Sequence, residues 1–60
     1  MKNSFDNLAI EIINSQIEVY GKSTVSGLRN KLLKYGYTDS QAKKQAFEFR
    51  YIIEMKNNVY

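Results

Sequence analysis

Between residues 5 and 20 the apolar side chains are too dense for a helix with one buried face. At about 100° per residue, Phe5, Leu8, Ala9, Ile10, Ile12, Ile13, Ile17, Val19 and Tyr20 spread over an arc of roughly 200°. A helix on the surface of a small domain needs a stripe of little more than about 100°. Asn7, Glu11, Asn14, Ser15 and Glu18 share the remaining narrow polar strip. The pattern therefore predicts a first helix with neighbours on two sides. Ser4 and Asp6 stand where a cap and a dipole-matched acid are expected, and Gly21 stands just past the end.

The next period runs through Val25, Leu28, Leu32 and Tyr35, with Leu33 beside it. It predicts a second helix over residues 24–35, capped by Ser23 or Thr24 and closed by Gly36. Gly27 in its first turn suits a close contact with a neighbouring helix. Thr38-Asp39-Ser40-Gln41 has the form of a capping box. Behind it, Ala42, Ala46, Phe49 and Ile53, with Ile52 alongside, predict a third helix over residues 39–56, followed by a frayed or docked tail. No strand pattern, repeat, proline or low-complexity segment competes. The expected fold is a small all-α domain of three helices (5–20, 24–35, 39–56), one domain across residues 1–60.

Length changes that picture. A chain of 60 residues buries only roughly 60% of the surface its unfolded form exposes. Small domains compensate with disulfides, a metal, regular packing or self-association. The sequence contains no cysteine and no histidine, which leaves packing and self-association. The expectation is a homodimer in which part of Ile10, Ile13, Ile17 and Tyr20 meets its symmetry mate. No run approaches the ~18 apolar residues of a membrane span, and Met1–Asn7 does not read as a secretory signal. Cytoplasmic residence, here of a bacterial host, and no membrane contact are expected.

The formal charge of +3 is uneven. Residues 22–45 hold Lys22, Arg29, Lys31, Lys34, Lys43 and Lys44 against Asp39 alone, while the segments on either side are acidic or balanced. Such a run is either a solvated face or an electropositive patch for nucleic acid or an acidic protein surface. Catalysis is poorly served. Histidine and cysteine are missing, and Glu11 and Glu18, which share a strip with Ser15, sit roughly 10 Å apart along the helix axis. No metal-ligand set, calcium loop or glycine-rich phosphate loop is present, so no cofactor is expected.

Two binding chemistries remain. In the first, a protein partner meets aromatic residues that the core does not need. The sequence has five tyrosines and three phenylalanines, and Tyr37, Phe47 and Tyr51 lie off the buried stripes, where amphipathic rings favour interfaces. In the second, the second helix, a glycine turn and the third helix outline a helix-turn-helix. Ser40, Gln41, Lys43 and Lys44 would then face bases and phosphates, and Arg29, Lys31 and Lys34 the backbone. The length expected for the third helix argues against this second reading.

Residues 28–47, LRNKLLKYGYTDSQAKKQAF, resemble the three-helix repeat of RecX-type recombination regulators. There too a basic helix with paired leucines precedes a Gly-aromatic turn and a capped helix. The likeness covers a third of the chain and lacks the acidic turn that follows in that family. It implies a helical hairpin and no functional residues. In size and richness in Asn, Lys, Ile and Tyr, the chain is similar to small accessory proteins of phages that infect low-GC bacteria. That resemblance implies a non-enzymatic inhibitor or regulator, anti-defence roles included. The expected function is regulation by binding a protein partner, with DNA binding as the alternative.

Overall fold

A computed structural model describes residues 4–59, with the side chains of residues 4–6 and 59 outside the described set. The expected Ser4 cap, the Asp6 charge, the Phe5 contribution to the apolar arc and Tyr60 in the tail lie outside it as well. The described residues form a small compact all-α domain of four helices: α1 (Ser4–Tyr20), α2 (Val25–Lys34), α3 (Asp39–Glu48) and α4 (Arg50–Val59).

The helix ends follow from local chemistry. Gly21 takes a φ of +87°, and its N–H donates to the Ile17 carbonyl at 2.8 Å, a left-handed stop that a Cβ would strain. Thr24 caps α2, its Oγ1 accepting the Gly27 N–H at 2.9 Å. At the other end of α2, the Gly36 N–H donates to Leu33 and the Tyr37 N–H to Leu32, with Gly36 at φ +99°. Those paired bonds make a Schellman motif, whose last residue is usually apolar and packs back on the helix. Tyr37 is partly buried against the core. The capping box also forms: Thr38 Oγ1 accepts the Gln41 N–H at 3.1 Å, and Gln41 Oε1 accepts the Thr38 N–H at 3.2 Å.

The predicted third helix over residues 39–56 is two helices. Its stripe is interrupted at Phe49, where φ is −93° and ψ is 6°. There the amide divides between the Gln45 and Ala46 carbonyls at 3.1 and 3.2 Å. Neither proline nor glycine marks the corner, so its cause is tertiary. The turn lets Phe49 and Ile53, 7% and 4% exposed, enter the same core as Ala42 and Ala46. Arg50 braces the corner from outside, its Nη1 donating to the Phe47 carbonyl at 2.8 Å.

This corner also answers the demand made by α1. The helix packs on α2 and on α4, while α3 packs on α2 and α4. Both neighbours of the wide apolar arc therefore come from the same chain. Ala9, Ile12, Ile13 and Ile17 join Leu28, Leu32, Ala42, Ala46, Phe49 and Ile53 in one core. Each fully buried Leu or Ile there removes apolar area worth about 1.5–3 kcal/mol.

A polar clasp closes the layout. Asn57, near the end of α4, reads the backbone of Ser23 in the α1–α2 link. Its Oδ1 accepts the Ser23 N–H at 2.9 Å, and its Nδ2 donates to the Ser23 carbonyl at 2.8 Å. The Ser23 hydroxyl donates to Gln16 Oε1 at 2.6 Å. Gln16 also lies over Gly27, where an added Cβ would come within 3.2 Å of its Nε2, so this glycine does mark a close helix contact. Residues 57–59, expected as a frayed or docked tail, are instead the last turn of α4, and Asn57 docks from there.

Candidate binding surface

α3 turns one face to solvent. Ser40, Lys43, Lys44 and Phe47 recur at the spacing of neighbours on a helix surface, opposite the buried Ala42, Gln45, Ala46 and Phe49. α2 runs alongside and contributes Val25, Ser26 and Arg29. Together these residues line an open groove of about 550 Å³. Its accessible lining is mostly apolar, with Arg29, Lys43 and Lys44 as its charged members and no carboxylate among the lining residues. Arg29 Nη1 pairs with Asp39 Oδ1 at 3.1 Å, bridging α2 to the start of α3. Both side chains are solvated, at 37% and 74% exposed. Such a pair is worth only ~0–1 kcal/mol.

At the Phe47 end, the groove continues into a stack across the α3–α4 corner. The Arg50 guanidinium carbon lies 3.8 Å from the centroid of the Phe47 ring and 4.4 Å from that of Tyr51. Arg50 Nη2 also donates to the Tyr51 hydroxyl at 3.3 Å. The rings remain 57% and 65% exposed. A cation held over an aromatic face gains about 0.5–1 kcal/mol at an exposed site. The stack thus holds two large rings in place before any partner arrives.

The residues expected from sequence fall into distinct groups. Phe47 and Tyr51 come together, joined by Arg50. Arg29, Ser40, Lys43 and Lys44 gather in the groove that Phe47 also lines. Tyr37 does not join them, because it is the apolar closure of the Schellman motif. Lys31 points to another side of the molecule, in a hollow with Leu8, Glu11, Ile12, Ser15 and Tyr35. Lys34 is exposed and lines neither hollow. Gln41 is exposed, but its side-chain oxygen is engaged in the capping box. The basic segment is therefore not one face.

The four residues expected at a dimer interface do not form one surface either. Ile13 and Ile17 are 0% and 5% exposed inside the protomer, Ile10 is half-buried, and Tyr20 is 77% exposed. The first two belong to the core that α1 shares with α2, α3 and the Phe49–Ile53 segment. Three contributors, Val25, Ser26 and Arg50, are not among the residues expected from sequence. Arg50 was counted only in a charge balance, although its position between Phe47 and Tyr51 in the sequence was a usable signal. Val25 was assigned to the buried stripe of α2, yet it is 36% exposed at the groove.

Among the described residues, no group of three acidic, histidine or cysteine side chains is placed to hold a metal ion. No described helix is long and apolar enough to cross a membrane. Fold and surface together define a small all-α domain with a preformed aromatic and cationic face. No protein-family model, curated protein or solved structure matches the chain.

Proposed function

We propose that this chain is a small non-enzymatic regulator or inhibitor that acts by binding a protein partner through the face carrying Phe47, Arg50 and Tyr51. The observation that carries this reading is the exposed stack. Two aromatic rings are held in solvent by an arginine, where the core does not use them. Aromatic residues and arginine are the types enriched where interfaces gain most of their energy. The protein is read as a homodimer in the bacterial cytoplasm, of the kind encoded by phages or mobile elements, with anti-defence activity within its range. Tyr20 and the half-buried Ile10 are the part of the expected dimer face that the protomer leaves available.

Tagged protein incubated with host lysate, with and without nuclease, tests the reading. A stoichiometric protein that survives nuclease and is lost from a Phe47→Ser/Tyr51→Ser variant is the expected result. Material that disappears with nuclease refutes it.

One observation favours the alternative, a helix-turn-helix-like DNA-binding regulator. The bend at Phe49 shortens α3 to ten residues, a length that suits a recognition helix, with Ser40, Lys43 and Lys44 exposed on it. Against it, Lys31 lies in a separate hollow and Lys34 lines neither, so the backbone contacts expected from α2 are not gathered beside Lys43 and Lys44. DNA binding would show an affinity that falls steeply with salt, and a Lys43→Ala/Lys44→Ala variant would flatten that dependence by about one unit of slope per lost phosphate contact.

A further inference from the structure

We infer that the α2–α3 groove is the partner-reading site, and that its occupant is an acidic peptide segment carrying one large apolar side chain. The inference rests on the protein-binding reading and specifies the chemistry of the partner. Three features point to that occupant. The groove is concave and mostly apolar between Val25 and Phe47, which suits a buried anchor side chain rather than a run of solvated phosphates. Its charged lining is wholly cationic, from Arg29, Lys43 and Lys44, and complementary charge around an apolar anchor sets orientation and association rate. The first turn of α2, which supplies Val25 and Ser26, has no acidic residue to neutralise the positive end of its dipole.

Arg29 already has an acidic neighbour in Asp39, so the geometry of a bound carboxylate is rehearsed within the chain. The Arg29 side chain remains 37% exposed beside that pair, which leaves room for a second acid. Lys43 and Lys44 stand on either side of the Ser40–Phe47 line and meet acids flanking the anchor. The volume of about 550 Å³ accommodates a few side chains, a segment rather than a whole domain. A helix laid in a groove presents its anchors in this manner.

The test is selection from a displayed library of random peptides about 16 residues long. The library is selected on the wild-type protein and counter-selected on a Lys43→Glu/Lys44→Glu variant. Both lysines are exposed, so circular dichroism should show the variant folded. The expected winners carry Asp or Glu around an aromatic residue or leucine. A synthetic winner should lose about tenfold or more in affinity on the variant. Its addition to labelled wild type should shift the amide resonances of Val25, Arg29, Lys43, Lys44 and Phe47.

Winners without acidic bias, or shifts that map elsewhere, overturn the inference. So does failure to select peptides when an oligo-dT of about 20 nucleotides, or a duplex of similar length, shifts those same resonances. A lysate partner that still binds the Lys43→Glu/Lys44→Glu variant but not Tyr51→Ser removes the groove occupant and leaves the protein-binding reading standing. Recovery of nucleic acid alone removes both.

Discussion

The Asn57 clasp gives the sharpest stability prediction, because one side chain ties the end of α4 to the α1–α2 link. Asn57→Ala deletes two hydrogen bonds to Ser23, at 2.9 and 2.8 Å. Each such bond contributes a net ~1 kcal/mol, and a donor left buried without a partner costs about 1–3 kcal/mol more. The Ser23 N–H is in that position, since the residue is 2% exposed. The alanine returns a few tenths of a kcal/mol through better helix propensity. The expected loss is therefore roughly 2.5–4.5 kcal/mol.

A domain of 60 residues has a total stability of about 3–9 kcal/mol, and each kcal/mol moves its melting point by ~4–8 °C. Asn58→Ala supplies the control, since it receives the same propensity gain on an exposed neighbour with no clasp. Urea unfolding followed by circular dichroism should place Asn57→Ala well below both wild type and Asn58→Ala. If the two variants agree within about 0.5 kcal/mol, the clasp contributes nothing and the reasoning fails.

Four other outcomes follow from the same coordinates. Ile13→Ala, at a site with 0% exposure, should cost about 2–5 kcal/mol by chemical denaturation; Ile13→Glu should unfold the chain rather than report on dimerisation. Gly36→Ala meets no atom within 4 Å but must hold φ at +99°, so strain alone should cost roughly 1–2 kcal/mol, whereas Ala at an unstrained loop position would be neutral. Tyr20→Glu should leave the melting point unchanged within a few degrees and convert the proposed dimer to a monomer by light scattering; a wild type that is already monomeric at high concentration refutes the dimer. Arg50→Ala should shift the Phe47 and Tyr51 ring resonances and weaken partner binding with about 1 kcal/mol or less lost from stability, and Arg50→Lys, which keeps the charge without the planar fork, should not restore the stack.

Much of the fold was legible because its signals are local. Gly21 and Gly36 end helices, Thr38 and Gln41 cap one, and Leu28 and Leu32 mark a buried stripe. Each depends on side chains within a turn of one another. The bend at Phe49 was not legible, because residues 39–56 contain no helix breaker and the cause lies in the shape of the core. The clasp was hidden for a related reason. Ser23, Gln16 and Asn57 are ordinary polar residues until folding brings positions 34 apart in sequence into hydrogen-bond reach. For the candidate surface, residue types were legible and their grouping was not. The aromatic and basic residues had suggested two rival chemistries, yet Phe47 belongs to both the stack and the groove.

That single missed corner propagates through the functional reading. A straight third helix would have carried Ile53 and the rest of α4 away from α1, leaving Ile13 and Ile17 exposed for a second chain to cover. With the corner in place, α4 packs on α1, Ile13 and Ile17 are buried within the protomer, and the hydrophobic excess of α1 no longer requires a dimer. The same corner brings Arg50 over Phe47 and Tyr51 at 3.8 and 4.4 Å, next to the cations of the groove. The turn that removes the strongest argument for self-association therefore also assembles the surface best suited to a different partner. Arg50→Ala leaves the buried Phe49 and Ile53 that set the corner in place, so it should weaken partner binding without changing the oligomeric state at any protein concentration. Self-association that increases in this variant would show that Arg50, and not the core, holds the corner.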